Sequence, residues 1–280
     1  MKIGNFEIGS RPFIICEAGL NHNGSIERAM AMADEAHYAG CTAVKYQTFK
    51  ADEFCAKDDS LYPWFKKSEL KDSDWPKLKR HCDERGIMFL STPQNRSDLD
   101  LLLPLGIPAI KVGSDDATNY ELLADYAKEG LPMIISTGMC SEEDLWNISK
   151  KECPLERKII YLVCTSQYPT LAEETNISRV KTFADAKFIV GFSDHTMGNT
   201  ASIMAVALGA TIFEKHFTLN KALPGPDHAW ACNPAELKSW VDAINEAWIM
   251  KGTGSFELSE KEKEQKRKYQ RRSGQRWRGK

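Results

Sequence analysis

Four side chains able to hold a metal ion or move a proton, His195, Glu214, His216 and Asp227, fall within residues 188–228, FIVGFSDHTMGNTASIMAVALGATIFEKHFTLNKALPGPDH, and a second acid, Asp194, adjoins the first histidine. Each histidine follows a short apolar run, and between the runs lies a helix-like segment, so the stretch reads as strand, loop, helix, strand. Two strands joined by a crossover helix are parallel, which brings the clusters at their ends to the same side. Glu214 and His216 are two apart and share one face of their strand, with Lys215 on the other. A lone histidine after a strand is more often a hydrogen-bonded neighbour than a ligand. Two at equivalent positions of adjacent units predict a divalent-metal site with a carboxylate nearby.

The elements that must position these groups recur along the chain. Apolar runs ending in polar residues occur at 13–19, 43–48, 87–92, 109–114, 133–138, 159–166, 188–195 and 211–217. Helix-like segments lie between them, several opening with Ser, Asp or Asn and closing with Gly, as caps require. Eight strand-helix units over residues 1–256 specify an α/β fold, the (β/α)8 TIM barrel. A doubly wound sheet is the alternative, but the first strand is followed by EAGLNHNG, which lacks the GxGxxG phosphate turn. The connection over residues 49–72 is too long for a simple loop and predicts a lid or wall across the barrel mouth.

Composition bounds the rest. With 280 residues and 42% hydrophobic content, the chain has enough material for one large barrel, and no apolar run reaches membrane-spanning length. The start has no signal-peptide pattern, so a cytoplasmic location is expected. Eight scattered cysteines (16, 41, 55, 82, 140, 153, 164 and 232) without a CxxC pair predict reduced, mostly buried thiols. The net charge of −2 hides a basic tail at 257–280, which carries ten Lys/Arg against four Glu. Such a tail is more often a solvated helix with a frayed end than a nucleic-acid arm, and nucleic acid is not an expected partner.

In a barrel of this kind chemistry sits at the carboxyl ends of the strands. There the sequence places Glu17, Lys45, Gln47, Thr92, Lys111, Ser114, Ser136, Thr137, Thr165, Ser166, Tyr168, Ser193, His195, Glu214 and His216. Two lysines inside apolar strands need compensation, either from a phosphorylated or carboxylated substrate or from neighbouring acids.

The motifs EAGLNHNG (17–24), VKYQTFKA (44–51), STP (91–93), IKVGSDDATN (110–119), STGM (136–139), CTSQYPT (164–170), GFSDHT (191–196), EKHFTL (214–219) and PGPDH (224–228) together resemble the sialic acid synthase family. Its members condense phosphoenolpyruvate with N-acetylmannosamine or a related amino sugar. The resemblance covers the whole barrel in order. It implies that Lys45, Thr92, Lys111, Ser114, Ser136 and Ser193 hold phosphoenolpyruvate. It implies that His195 and His216 bind a divalent metal, manganese first, with magnesium or cobalt as alternatives. Glu17 matches the catalytic carboxylate, while Gln47, Asn23, Asp116, Tyr168, Glu214 and Asp227 match positions lining the sugar and reaction centre. Ser166, where some members carry Asn, goes with the substrate-binding residues.

The implied product is a nonulosonic acid, the by-product inorganic phosphate, and the implied assembly a homodimer. Members commonly carry an antifreeze-like domain after the barrel, reached through a segment like the Arg-Arg-Ser at 271–273, whose arginine contacts the partner's sugar site. The chain ends at RRSGQRWRGK, so that contact is expected to be missing or replaced. Gln94, Trp230 and Cys232 also depart from the family pattern, all on the sugar side. Two other functions fit the same barrel: a synthase acting on a phosphorylated aldose, which needs a second phosphate site, and a non-catalytic sugar- or phosphate-binding subunit.

Overall fold

The computed structural model describes residues 1–150, 158–271 and 274; Cys153 and residues 272–273 and 275–280 of the basic tail lie outside the described residues. Eight strands run parallel: β1 (Phe13–Gly19), β2 (Ala43–Thr48), β3 (Met88–Pro93), β4 (Ile110–Val112), β5 (Met133–Ser136), β6 (Ile159–Val163), β7 (Ile189–Asp194) and β8 (Ile212–His216). Ladders link them in the order β3-β2-β1-β8-β7-β6-β5-β4. The two end strands, β3 and β4, lie side by side and close the ring. This is the (β/α)8 barrel that the recurring strand-helix pattern specifies.

Eight helices cover the outside: α1 (Ile26–Ala39), α2 (Trp75–Arg85), α3 (Arg96–Leu102), α4 (Tyr120–Ala127), α5 (Glu142–Lys150), α6 (Arg179–Asp185), α7 (Thr200–Leu208) and α8 (Pro234–Lys251). Their limits follow local chemistry. Ser25 caps α1 by accepting from the Arg28 amide, and Gly40 ends it at φ 90°, a conformation that favours glycine. Asn233 and Glu236 form a reciprocal cap at the start of α8.

Two apolar layers result from strand alternation. Outward-facing residues such as Ile14, Val44, Tyr46, Phe89 and Phe213 pack against helix residues such as Met32, Leu78 and Trp240. Inward-facing residues Phe13, Ile15, Ala43, Leu90, Ile134, Leu162 and Ile212 fill the lower barrel. A two-stranded hairpin that the sequence did not announce, Lys2–Ile3 with Phe6–Glu7, seals that end. Its Ile3 joins the interior cluster, and Phe6 meets Phe13 edge-on at 4.9 Å.

The long connection after β2 forms two short helices, Ala51–Phe54 and Tyr62–Ser68, over a small core of Leu20, Phe49 and Ala51. The described part of the basic tail is a solvated helix, Glu260–Tyr269, capped by Ser259 and Glu262 and burying no residue. Seven described cysteines are free thiols. Among the described residues no helix is long and apolar enough to cross a membrane.

Candidate active site

At the carboxyl ends of the strands lies a cavity of about 440 Å3. It is reached by every strand position that the sequence places at the rim except the two threonines, Thr137 and Thr165, which turn to backbone carbonyls. The parallel register explains the convergence: Glu17 stands opposite Lys45 on one side and His216 on the other, and Glu214 stands opposite Ser193. Gly191 lets β7 approach β8, since a Cβ there would come within 2.4 Å of the Ile212 carbonyl oxygen.

On one side sit the lysines. Lys45 Nζ lies 2.7 Å from Glu17 Oε2 and 3.6 Å from Glu214 Oε2, and donates to Thr92 Oγ1 at 3.3 Å. Lys111 Nζ donates to Ser136 Oγ at 2.8 Å and to the Val112 carbonyl at 2.9 Å, with Glu214 Oε1 at 3.9 Å. Both are buried, and the difference in partners separates them. Burial opposes the charge of Lys45, but Glu17 and Glu214 outweigh it and raise its pKa. For Lys111 burial prevails over the more distant Glu214, helped by repulsion from Lys45, and the pKa falls below the ordinary lysine value. Neighbouring acids therefore compensate Lys45 well and Lys111 poorly.

On the other side sit the histidines, their ring centroids 5.5 Å apart. His195 Nδ1 lies 2.7 Å from the Thr165 carbonyl oxygen, which can only accept, so Nδ1 carries the hydrogen and Nε2 keeps its lone pair. Burial, then the adjacent His216, lower its pKa to about 4, so the ring is neutral and suited to ligation. His216 Nδ1 is buried without a hydrogen-bond partner, 3.5 Å from Asp227 Oδ2, too long for a formed bond. Burial raises the Asp227 pKa, but His216 outweighs it and the carboxyl stays below its usual range. Tyr168 and Trp230 pack on both rings, with centroids 4.4 Å (Tyr168 to His195) and 4.7 Å (Trp230 to His216) apart.

Between the two sides, Glu17 Oε1 accepts from Gln47 Nε2 at 3.3 Å and Glu214 Oε1 from Ser193 Oγ at 3.2 Å. Burial raises the Glu214 pKa, but Lys111 and Lys45 outweigh it and lower it overall. Glu214 Oε2 and Ser166 Oγ are buried in the cavity wall without a hydrogen-bond partner. Ser114 Oγ accepts from the Gly138 amide at 3.0 Å.

Two expected site residues, Asp116 and Asn23, lie elsewhere, as does Asp194. Asp194, the acid beside the first histidine, turns outward, where its Oδ2 sits 3.1 Å from Lys215 Nζ and accepts from Ser202 Oγ at 2.6 Å. Alternation along β7 puts it on the face opposite Ser193. Asp116 does not line the cavity; it accepts from Asn119 Nδ2 at 3.1 Å, and Asp115 faces the cavity in its place. Asn23 is also off the wall, donating from Nδ2 to the Pro224 carbonyl at 2.9 Å. The connection over residues 49–72 does wall the cavity, through Phe54, Trp64 and Phe65.

Comparison with known proteins gives this site its context. The model of the NeuB family matches residues 32–256. The chain belongs to the NeuB family. It is 36% identical to the N,N'-diacetyllegionaminic acid synthase of Legionella pneumophila over 270 residues, 89% of this chain and 76% of that protein. It is 41% identical to the uncharacterized protein MJ1065 of Methanocaldococcus jannaschii, across 91% of this chain and 77% of that one. Among solved structures, N-acetylneuraminic acid (sialic acid) synthetase from Leptospira borgpetersenii, crystallised with citrate, superposes with a TM-score of 0.88 at 32% identity, covering 95% of this chain and 94% of that one. NeuB membership makes the chain a synthase, a transferase that forms carbon–carbon bonds.

The charge balance of this NeuB cavity is informative. Among the described residues, two ammonium groups, Lys45 and Lys111, face four carboxylates, Glu17, Asp115, Glu214 and Asp227, and no arginine lines the wall. Two imidazoles amid excess acid suit a divalent cation. No group of three or more His, Cys, Asp or Glu side chains is gathered for a metal among the described residues. An ion held by His195 and His216 therefore needs substrate or water oxygens to complete its shell.

Proposed function

We propose that this protein condenses phosphoenolpyruvate with an open-chain N-acetylamino sugar of the N-acetylmannosamine type, giving a nonulosonic acid and inorganic phosphate. The observation that carries the reading is the meeting of two buried ammonium groups and two buried imidazoles on one 440 Å3 cavity. The names of the L. pneumophila and L. borgpetersenii relatives, both acid-sugar synthases, support it.

In this reading Lys45, Thr92, Lys111, Ser114, Ser136 and Ser193 hold the phosphate and carboxylate of phosphoenolpyruvate. Lys111, poorly compensated by acids, gains most from the dianionic phosphate. The sugar lies above, among Gln47, Ser166, Tyr168 and Asp227. His195 and His216 hold a divalent metal, manganese first, which when bound supplies Lewis-acid polarisation of the aldehyde oxygen. The enol carbon then attacks the aldehyde carbon in a fixed geometry. Positive charge develops at C2 of the former enolpyruvate, where the carboxylate of Glu17 stabilises it and guides water in. Gln47 and Lys45 fix the orientation of Glu17. The adduct loses phosphate by C–O cleavage. We further propose that the protein works as a cytoplasmic homodimer.

A phosphorylated aldose is the weaker reading, because among the described residues no arginine and no third lysine lines the cavity to receive a second phosphate. The test is phosphate release by the purified chain with manganese, phosphoenolpyruvate and a panel of 2-acetamido sugars. Release with a phosphorylated aldose alone would move the assignment to that class. No release with any sugar from a folded protein would leave a non-catalytic subunit.

A further inference from the structure

A polar cluster beside the cavity, buried at Thr218 and His228 and partly exposed at Asn23, takes no part in the chemistry just described. It consists of Asn23, on the loop after β1, with Thr218 and His228, on the loop after β8; none of the three lines the cavity. His228 is fully buried.

Its hydrogen bonds run in one direction. The Asn220 amide donates to Thr218 Oγ1 at 3.1 Å. Thr218 Oγ1 meets His228 Nδ1 at 2.7 Å, the shorter of the two contacts open to that hydroxyl, the other being the Asn220 carbonyl at 3.1 Å. His228 Nε2 meets Asn23 Oδ1 at 3.3 Å, and Asn23 Nδ2 donates to the Pro224 carbonyl at 2.9 Å. The Asn23 amide is oriented by that last bond, since its oxygen cannot face a carbonyl. Its Oδ1 therefore needs a donor, and His228 must carry its hydrogen on Nε2. Burial lowers the His228 pKa against the pull of Asp227, which keeps the ring neutral and leaves Nδ1 to accept from Thr218. Every donor in the chain has an acceptor.

Glycine is required where the loop crosses the imidazole. Gly225 has φ +148°, and a Cβ there would lie 2.8 Å from His228 Cδ2. The loop that this cluster grips carries Pro226 and Asp227 into the cavity wall, with Asp227 Oδ2 3.5 Å from His216 Nδ1.

We propose that Asn23 and His228 are positioning residues: through this directed chain they tie the loop after β8 to the loop after β1 and hold Asp227 against His216 on the acceptor side. Asn23, placed by resemblance among the substrate-binding residues, acts on the sugar through His228 and Asp227 and not by contact. The inference rests on the proposed function only for the identity of the acceptor side.

Two substitutions test it. Asn23→Ala removes both bonds, and Asn23→Asp keeps an acceptor for His228 while losing the donor to Pro224. Each should raise KM for the amino sugar about tenfold to a hundredfold, with KM for phosphoenolpyruvate nearly unchanged. Asn23 lies at φ 47°, where Ala is strained, so Asn23→Asp is the variant that should also leave the melting temperature nearly unchanged. Asn23→Ala in an Asp227→Ala background should add little further loss, because both act through one carboxylate. Parallel rises in both KM values, or additive losses, would overturn the proposal by showing general loosening of the rim. A crystal structure of Asn23→Ala gives a readout free of turnover: residues 224–228 displaced and Asp227 withdrawn from His216 support the clamp, and an unmoved loop overturns it. Should the wild type release no phosphate with any sugar, the proposed function falls, and the position of this loop still decides the clamp.

Discussion

The inside of the barrel has two storeys built by the same strands, two residues apart. On the lower storey stand Ile15, Ala43, Leu90, Ala109, Ile134 and Ile212; directly above them stand Glu17, Lys45, Thr92, Lys111, Ser136 and Glu214. Backbone, burial and pleat are alike, so only side-chain chemistry separates them. Below, apolar groups fill space and leave nothing unpaired. Above, Glu214 Oε2, Ser166 Oγ and His216 Nδ1 are buried without hydrogen-bond partners. The contrast teaches that the upper storey is arranged for groups the chain does not itself supply, at a cost that the lower storey offsets.

The largest effect expected from breaking this division comes from the top. His216→Ala should lower metal-dependent turnover by about a thousandfold with the melting temperature little changed, and should weaken manganese binding measured by titration. Retained metal affinity would show that the imidazole pair is not the ion's seat. Next, on the lower storey, Leu162→Ala should cost about 2–5 kcal/mol of stability in denaturant unfolding, while the surviving folded protein keeps its KM values. A change in KM at constant stability would show that the storeys are coupled.

Lys111→Ala sharpens the comparison, since it removes a charge that the fold compensates poorly. KM for phosphoenolpyruvate should rise about tenfold to a hundredfold, with stability unchanged or improved. An unchanged KM would remove Lys111 from the substrate site. The smallest effect is in pH. Burial lowers the Lys111 pKa below 10.5, so in the free protein the cation is lost as pH rises through that depressed value. KM for phosphoenolpyruvate should therefore climb on the alkaline side before an ordinary lysine would titrate. Lys111→Arg should flatten that rise, and a rise that persists would trace it to another group.

Both storeys were legible in the sequence where periodicity governs direction. Alternation along 13–19, 43–48 and 211–217 put Glu17, Lys45, Glu214 and His216 inside and Lys215 outside, and ladder register did the rest. Asp194, beside His195 in sequence, is turned to Lys215 by the same alternation. Asn23, Asp115 and Asp116 lie in loops, where no period tells which side chain faces the cavity. Of the two acids it is Asp115 that does. The hairpin of Lys2–Ile3 and Phe6–Glu7 escaped notice because two-residue strands are too short to show a pattern. Trp230 stood out as an unusual residue, but its packing on His216 depends on a loop path that only coordinates give.

That hairpin has a kinetic consequence. Among the described residues, Ile3 and Phe6 plug the barrel's floor, and the cavity lies at the opposite end. Lys111 and Ser136 sit at its depth, whereas Tyr168, nearer the opening, is 50% exposed. If two reactants share that entrance, the one bound by the deep lysine is expected to enter first, and product-inhibition kinetics would check the order.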